Sequence, residues 1–164
     1  MEIKKIEKSY HKELKGLIKT VAKALPKKEW LITPSEEAIE NLFESELFDY
    51  WGVFENDKLL AISSLSYDEE DFADIVKLLG IEGKNVAEIA ECMTLPQARG
   101  NNFMFKINSV LFQRAREKGI EYLIATAHPD NNASNHSLQK LGMEIKGQFY
   151  RYGKNLRNYL VMKL

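Results

Sequence analysis

Three stretches of the chain carry residue types that can do chemistry. Glu88 and Glu91 lie on a β-prone run, Val86 to Leu95, that Pro96 stops. Carboxylates in such a place can act as general acids or bases. Three positions apart, they point to opposite faces of a regular strand and share a face only if a bulge intervenes. The run leads into Leu95-Pro96-Gln97-Ala98-Arg99-Gly100-Asn101-Asn102-Phe103. Such a loop opens a helix whose first N–H groups lack helical partners, and these groups with the dipole form an anion site. Gly100 lets a ligand approach the backbone, and Arg99 can add a phosphate contact. The loop is equally readable as a plain strand-to-helix turn. The third stretch is His128 to Ser134, with Asn131 placed 34 positions after Gln97. Asn131 and Ser134 can bond a ligand threading between two strand ends, or cap a helix.

Other reactive types carry less. The lone Cys92 reads as a small buried apolar residue, and His128 as a loop residue. No His, Cys or Asp cluster has metal-ligand spacing. The run Phe149-Tyr150-Arg151-Tyr152 reads as strand packing, though one of its tyrosines could line a substrate pocket.

The elements that must position these groups follow from periodicity. Met1 to Glu7 reads as a first strand. Leu14, Leu17, Ile18, Val21, Ala22 and Leu25 recur at helical spacing, and Pro26 ends that helix. Thr33-Pro34-Ser35-Glu36 reads as a capping box with Thr33 as N-cap. Phe48 to Glu55 and Leu59 to Tyr67 form a hairpin across Asn56-Asp57. A helix is expected over Asp68 to Leu79, ended by Gly80. After the strand from Val86 come a helix from Asn101 to Lys118, a strand from Tyr122 to Ala127 and a helix from Asn132 to Leu141. Two last strands, Met143 to Tyr152 and Leu156 to Leu164, join at Gly153-Lys154-Asn155. The order βααββαβαβαββ predicts an α/β (α+β) fold, a mixed sheet with helices on both faces.

The chain has 164 residues, which suits one domain over 1–164. No apolar run reaches the ~18 residues of a membrane span, and Met1 to Tyr10 lacks the apolar core of a secretory signal. With one cysteine no internal disulfide forms, so a cytoplasmic setting is expected. The net charge of −1 hides a strong asymmetry. Residues 1–30 carry nine lysines against four acids, residues 31–91 three lysines against sixteen acids, and residues 92–164 eleven basic residues against four acids. Such blocks suggest regions facing different partners. A nucleic-acid reading lacks a recognition motif and a basic balance.

Gln97-Ala98-Arg99-Gly100-Asn101-Asn102 resembles the phosphate loop of the GNAT superfamily of acyl-CoA-dependent N-acyltransferases, of the form Gln/Arg-x-x-Gly-x-Gly/Ala. Asn131, Ser134 and Lys140-Leu141-Gly142-Met143 resemble the family's second motif at the family's separation. The likeness is specific over residues 85–164. It implies a mostly antiparallel sheet split in a V, with acetyl-CoA in the gap and no metal. Pantetheine would take backbone hydrogen bonds from Met93 and Leu95. The pyrophosphate would lie over Arg99, Gly100, Asn101, Asn102 and Phe103, with Asn131 and Ser134 bordering the cofactor. The chain departs from the pattern at Asn102, where a small residue is usual. It departs again at Leu138, where many members carry a tyrosine that protonates the leaving thiolate.

The implied reaction is transfer of an acetyl group to a primary amine by direct attack in a ternary complex. The alternative is a CoA-binding sensor of the same fold without turnover. An amine of pKa ~10.4 must lose a proton before attack. Ala87-Glu88-Ile89 with Cys92 resembles the segment that carries a glutamate base in histone-type members, which favours Glu88 as base, with Glu91 second. The resemblance leaves the acceptor as a small-molecule or peptide amine, with no nucleic acid or membrane partner, and allows a homodimer. Glu36, Glu37, Glu40 and Glu44 lie at spacings of three and four. They could attract a cationic amine or form a solvated acidic face.

Overall fold

A computed structural model describes residues 1–164. The strands are β1 (Glu2–Lys5), β2 (Phe48–Glu55), β3 (Lys58–Ser66), β4 (Val86–Thr94), β5 (Tyr122–Ala127), β6 (Glu144–Arg151) and β7 (Asn155–Lys163). The helices are α1 (His11–Lys23), α2 (Glu36–Glu40), α3 (Ala73–Leu79), α4 (Phe103–Glu117) and α5 (Asn132–Leu141). Element order is the expected one. The seven strands form one sheet in the order β1-β2-β3-β4-β5-β7-β6. Every neighbouring pair is antiparallel except β4 with β5.

Helices cover both faces. On one face α4 and α5 bury Ile107, Leu111, Ala115 and Leu138 against Val53, Ala61, Leu65, Ala87, Ile89 and Leu123. On the other, the stripe Leu14, Leu17, Ile18 and Val21 of α1 packs with Ile39 and Leu42 against Tyr50, Ile62 and Met93. Farther along that face, Phe72 and Ile75 of the α3 segment cover Val86 and Ile124. Successive residues of β4 and β5, such as Val86 and Ala87 or Leu123 and Ile124, are buried on opposite faces, as expected of strands covered on both sides. No helix is long and apolar enough to cross a membrane.

The parallel pair creates the cleft. β4 and β5 are in register only from Val86–Tyr122 to Ile89–Ala125. Beyond Ile89, β4 stays with β3 and β5 stays with β7. The two strand ends therefore part, and the carboxyl ends of both look into the opening. Such a gap in a sheet with short loops beyond it is where ligands collect.

Two local expectations are corrected. The N-cap of α2 is Ser35, whose hydroxyl accepts from the Ala38 N–H at 3.1 Å, and not Thr33. The helix before Gly80 starts at Ala73, while Asp68 to Phe72 forms turns that put Asp68 and Asp71 toward the cleft.

Candidate active site

The phosphate-type loop has the backbone that anion binding requires. Gly100 has φ +83°, and Asn102 takes a left-handed conformation, φ 60° and ψ 25°, as the N-cap of α4. Asparagine is among the few side chains that adopt this region readily, so the loop keeps its shape without a second glycine. The Asn101 amide donates to the Ala98 carbonyl at 3.0 Å and braces the turn. The N–H groups of Gly100 through Phe105 engage no acceptor within the chain. They open into a cavity of about 490 Å³. Arg99 and Lys140 line it, and no carboxylate does. Phe103 is buried beneath and anchors the helix start. These residues fit a polyanionic cofactor: free donors, two cations and no opposing acid.

One backbone assignment is corrected. The Leu95 N–H donates to the Leu60 carbonyl at 2.9 Å, and its carbonyl accepts from Ala98. Leu95 is therefore spent on β3 and does not line the cavity. Met93 pairs opposite Ile62 in the same ladder, so its backbone groups also turn toward β3, though its side chain lines the cavity. Ladder direction alternates by residue, so the Thr94 groups face the gap instead. Thr94 and Cys92 line the cavity.

A bulge sets the phase of that alternation. The β3 register slips between Ile62–Met93 and Ser64–Ala90, and Glu91 has φ 53°. Val86 and Glu88 face the α1–α3 side; after the bulge so does Met93. Glu88 and Glu91 thus share a face and line one cavity of about 320 Å³. Their environments differ sharply. Glu88 is buried, and both its oxygens accept from Arg151: Nη1 to Oε1 at 2.5 Å and Nη2 to Oε2 at 2.9 Å. Arg151 also donates to Thr126 Oγ1 at 3.0 Å and to Asp71 Oδ2 at 2.9 Å. Burial pushes the Glu88 carboxyl up and the guanidinium pulls it back; the bidentate geometry needs both oxygens as acceptors, which is the ionised pair.

Glu91 has no such partner. Its Oε2 is withdrawn from solvent with no hydrogen bond. Burial pushes its carboxyl above the ordinary carboxylate range. The Tyr50 phenol opposes the shift, and the negative charges of Glu88 and Asp71 add to it. A carboxylate raised in this way, on a residue that lines a cavity, has the properties of a general base.

The two cavities meet. Trp30, Cys92, Asn131, Ser134 and Leu138 line both. Asn131 caps α5, its Oδ1 accepting from the Ser134 N–H at 3.2 Å. Asn135, which the sequence reading passed over, ties this corner together. Its amide donates to the His128 and Asn131 carbonyls at 2.9 Å each, and its Oδ1 accepts from Asn158 at 2.9 Å. Burial raises the Cys92 thiol, and Ser63 Oγ lies 3.2 Å from its sulfur. That is the environment of an inert packed thiol.

The acidic face of α2 lies elsewhere. Glu36 pairs with Lys19 at 3.0 Å, Glu40 with Lys15, and Glu44, just beyond the helix, with Lys8 at 2.7 Å. These acids zip onto the lysines of the α1 region and do not line the cavity.

The comparisons agree with this geometry. Residues 14–143 match the family model described as the acetyltransferase (GNAT) family. No curated protein matches the chain in sequence. Among solved structures, an acetyltransferase of the GNAT family from Streptococcus pneumoniae superposes with a TM-score of 0.76 at 15% identity, covering 99% of this chain and 98% of that one. A ribosomal-protein-alanine N-acetyltransferase from Brucella melitensis gives 0.74 at 17%, covering 100% of both. FeeM, an N-acyl amino acid synthase from uncultured soil microbes, gives 0.74 at 16%, covering 99% and 90%. With the family model spanning most of the chain, and a split sheet that joins an anion-binding loop to a second, acid-lined cavity, the protein belongs to the GNAT acetyltransferase family and is an acyltransferase.

Proposed function

We propose that the protein transfers an acetyl group from acetyl-CoA to a primary amine held in the acid-lined cavity, by direct attack with Glu91 as general base. The observation that carries this reading is Glu91, a carboxylate without a cationic partner that lines the cavity adjoining the acid-free cleft. Arg99, Lys140 and the N–H groups of Gly100 to Phe105 would hold the cofactor's phosphates, and Thr94 its pantetheine. When bound, acetyl-CoA supplies an activated acyl group and a thiol leaving group of ordinary acidity, pKa ~8.5.

An amine of pKa ~10.4 enters mostly protonated. Glu91 accepts its proton; a carboxylate whose pKa burial has raised is a better base than an ordinary one. Glu88 positions rather than reacts: it fixes Arg151, which in turn holds Asp71 and Thr126 around the cavity. Leu138 stands at the junction and offers no proton, so the departing sulfur leaves as thiolate or takes a solvent proton.

The test is free-thiol release from acetyl-CoA with a panel of amines, wild type against Glu91→Gln. Turnover by the wild type and a loss of about 10²–10⁴-fold in kcat/KM for the variant support the reading. Stabilisation by acetyl-CoA with no thiol release for any amine would replace it with the sensor reading, which Leu138 favours.

A further inference from the structure

The acceptor cavity holds a cation that the proposed chemistry does not use. Arg157 on β7 is only 3% exposed and lines the same cavity as Glu91. Its single hydrogen bond goes from Nη1 to the adjacent Leu156 carbonyl at 2.7 Å. No carboxylate lies within ion-pair distance of it. Glu88 and Asp71, which line the cavity too, are already taken by Arg151. Asp71 also accepts from the Tyr152 hydroxyl at 2.6 Å. Glu29 and Tyr152 favour the Arg157 charge only at a distance, while burial and Arg151 oppose it. A buried guanidinium left like this is costly unless something completes it. Trp30 lines the same cavity, and its Nε1 is likewise buried with no acceptor.

We propose that Arg157 binds a carboxylate of the acceptor, so that the substrates are small molecules bearing both an amine and a carboxylate. The inference rests on the acetyltransferase reading above. Once the Arg151 pairs are set aside, the cavity offers carboxylates at Asp68 and Glu91 and a guanidinium at Arg157. That matches a zwitterion better than a polyamine, which would meet an unpaired cation. The planar fork of arginine suits a carboxylate in particular. The volume of about 320 Å³ is near the lower end for ligand cavities, which suits a molecule of amino-acid size.

The probes are proteinogenic amino acids, their carboxamides and the matching decarboxylated amines. Two measurements are made on wild type, Arg157→Gln and Arg157→Lys. One is acceptor binding to the CoA-loaded protein by calorimetry; the other is acetyl transfer by thiol release. For the best acceptor, the carboxylate form is expected to exceed its carboxamide by about 10–100-fold. Arg157→Gln erases that preference through KM, and Arg157→Lys restores part of it. Arg157→Gln should also melt no lower than wild type, since it removes an uncompensated buried charge; a purely structural arginine would lower the melting temperature. If the glutamine variant fails to fold, the arginine is structural and the wild-type comparison alone decides the substrate class. Equal use of carboxamides or plain amines by the wild type overturns the inference while leaving the acetyltransferase reading intact. Preferred binding of carboxylates without thiol release supports the inference and overturns that reading. Absence of binding by every carboxylate-bearing probe overturns the inference.

Discussion

At the scale of single residues, two glutamates three positions apart on β4 meet opposite fates, and each fate is testable. Burial raises the Glu91 carboxyl, so the folded chain holds this proton to higher pH than the unfolded chain does. The resulting stability is present below the unfolded pKa and is lost as pH rises through the folded one. The ionised form of Glu91 is therefore a burden on the fold. Glu91→Gln should raise the melting temperature at pH 8, by ~2–4 °C for each kcal/mol recovered. The gain should shrink toward pH 4, measured by thermal melts across that range; a variant that melts lower than wild type at pH 8 would remove the unpaired-carboxylate description. Glu88 behaves the other way. Glu88→Gln leaves Arg151 buried with Asp71 as its one remaining carboxylate and Thr126 as a neutral partner, and losing one partner of a buried pair costs about 3–5 kcal/mol. Denaturant unfolding checks this, and a cost below 1 kcal/mol would mean that the pair contributes little.

At the scale of elements, the decisive feature is the junction of β4, its loop and α4. Gly100 has φ +83°, and a Cβ there would meet nothing within 4 Å. Any cost of substitution is thus conformational rather than steric. Gly100→Val should raise KM for acetyl-CoA well beyond tenfold, because a β-branched residue moves the backbone out of this region. Asn102→Gly should keep KM within about twofold, because glycine holds φ 60° at least as easily. Steady-state kinetics on the two variants tests both; equal KM values would show that the loop does not shape the cofactor site. The same junction shows what a sequence can and cannot disclose. The α5 limits, the hairpin at Asn56-Asp57 and the Gly80 stop were all legible, because local pattern and turn chemistry decide them. The shared face of Glu88 and Glu91 was not, because it depends on a slip in the β3 pairing near Ser63, 28 positions before Glu91. The Ser35 cap was missed because Thr33 fits the same motif two positions early. Arg157 gave no signal at all: an arginine on a last strand looks alike in sequence whether it is solvated or buried.

At the scale of the whole molecule, the near-zero net charge resolves into compartments. Three lysines of the α1 region pair with three acids of and beside α2, so part of the lysine-rich first block cancels part of the acidic middle away from the cleft. What remains near the cleft is sorted. The cofactor cavity has Arg99 and Lys140 with no acid, while the acceptor cavity has Asp68, Asp71, Glu88 and Glu91 with two arginines. A polyanion is drawn to the first and repelled by the second, which would give the proposed cofactor one way to lie. Arg99 is exposed at the rim, where its attraction is screened by salt over ~8–10 Å. Cofactor binding should therefore weaken as salt rises from 50 to 500 mM, and the slope of log Kd against log salt should flatten in Arg99→Gln. The α1–α2 pairs are exposed, and such pairs contribute little individually, so the same salt range should move the melting temperature of the free protein by only a few degrees. Calorimetric titration of acetyl-CoA and thermal melts in parallel separate the two effects. Binding that is indifferent to salt, in a protein whose melting temperature is not, would mean that the charges serve the fold and that the cofactor is held by the backbone alone.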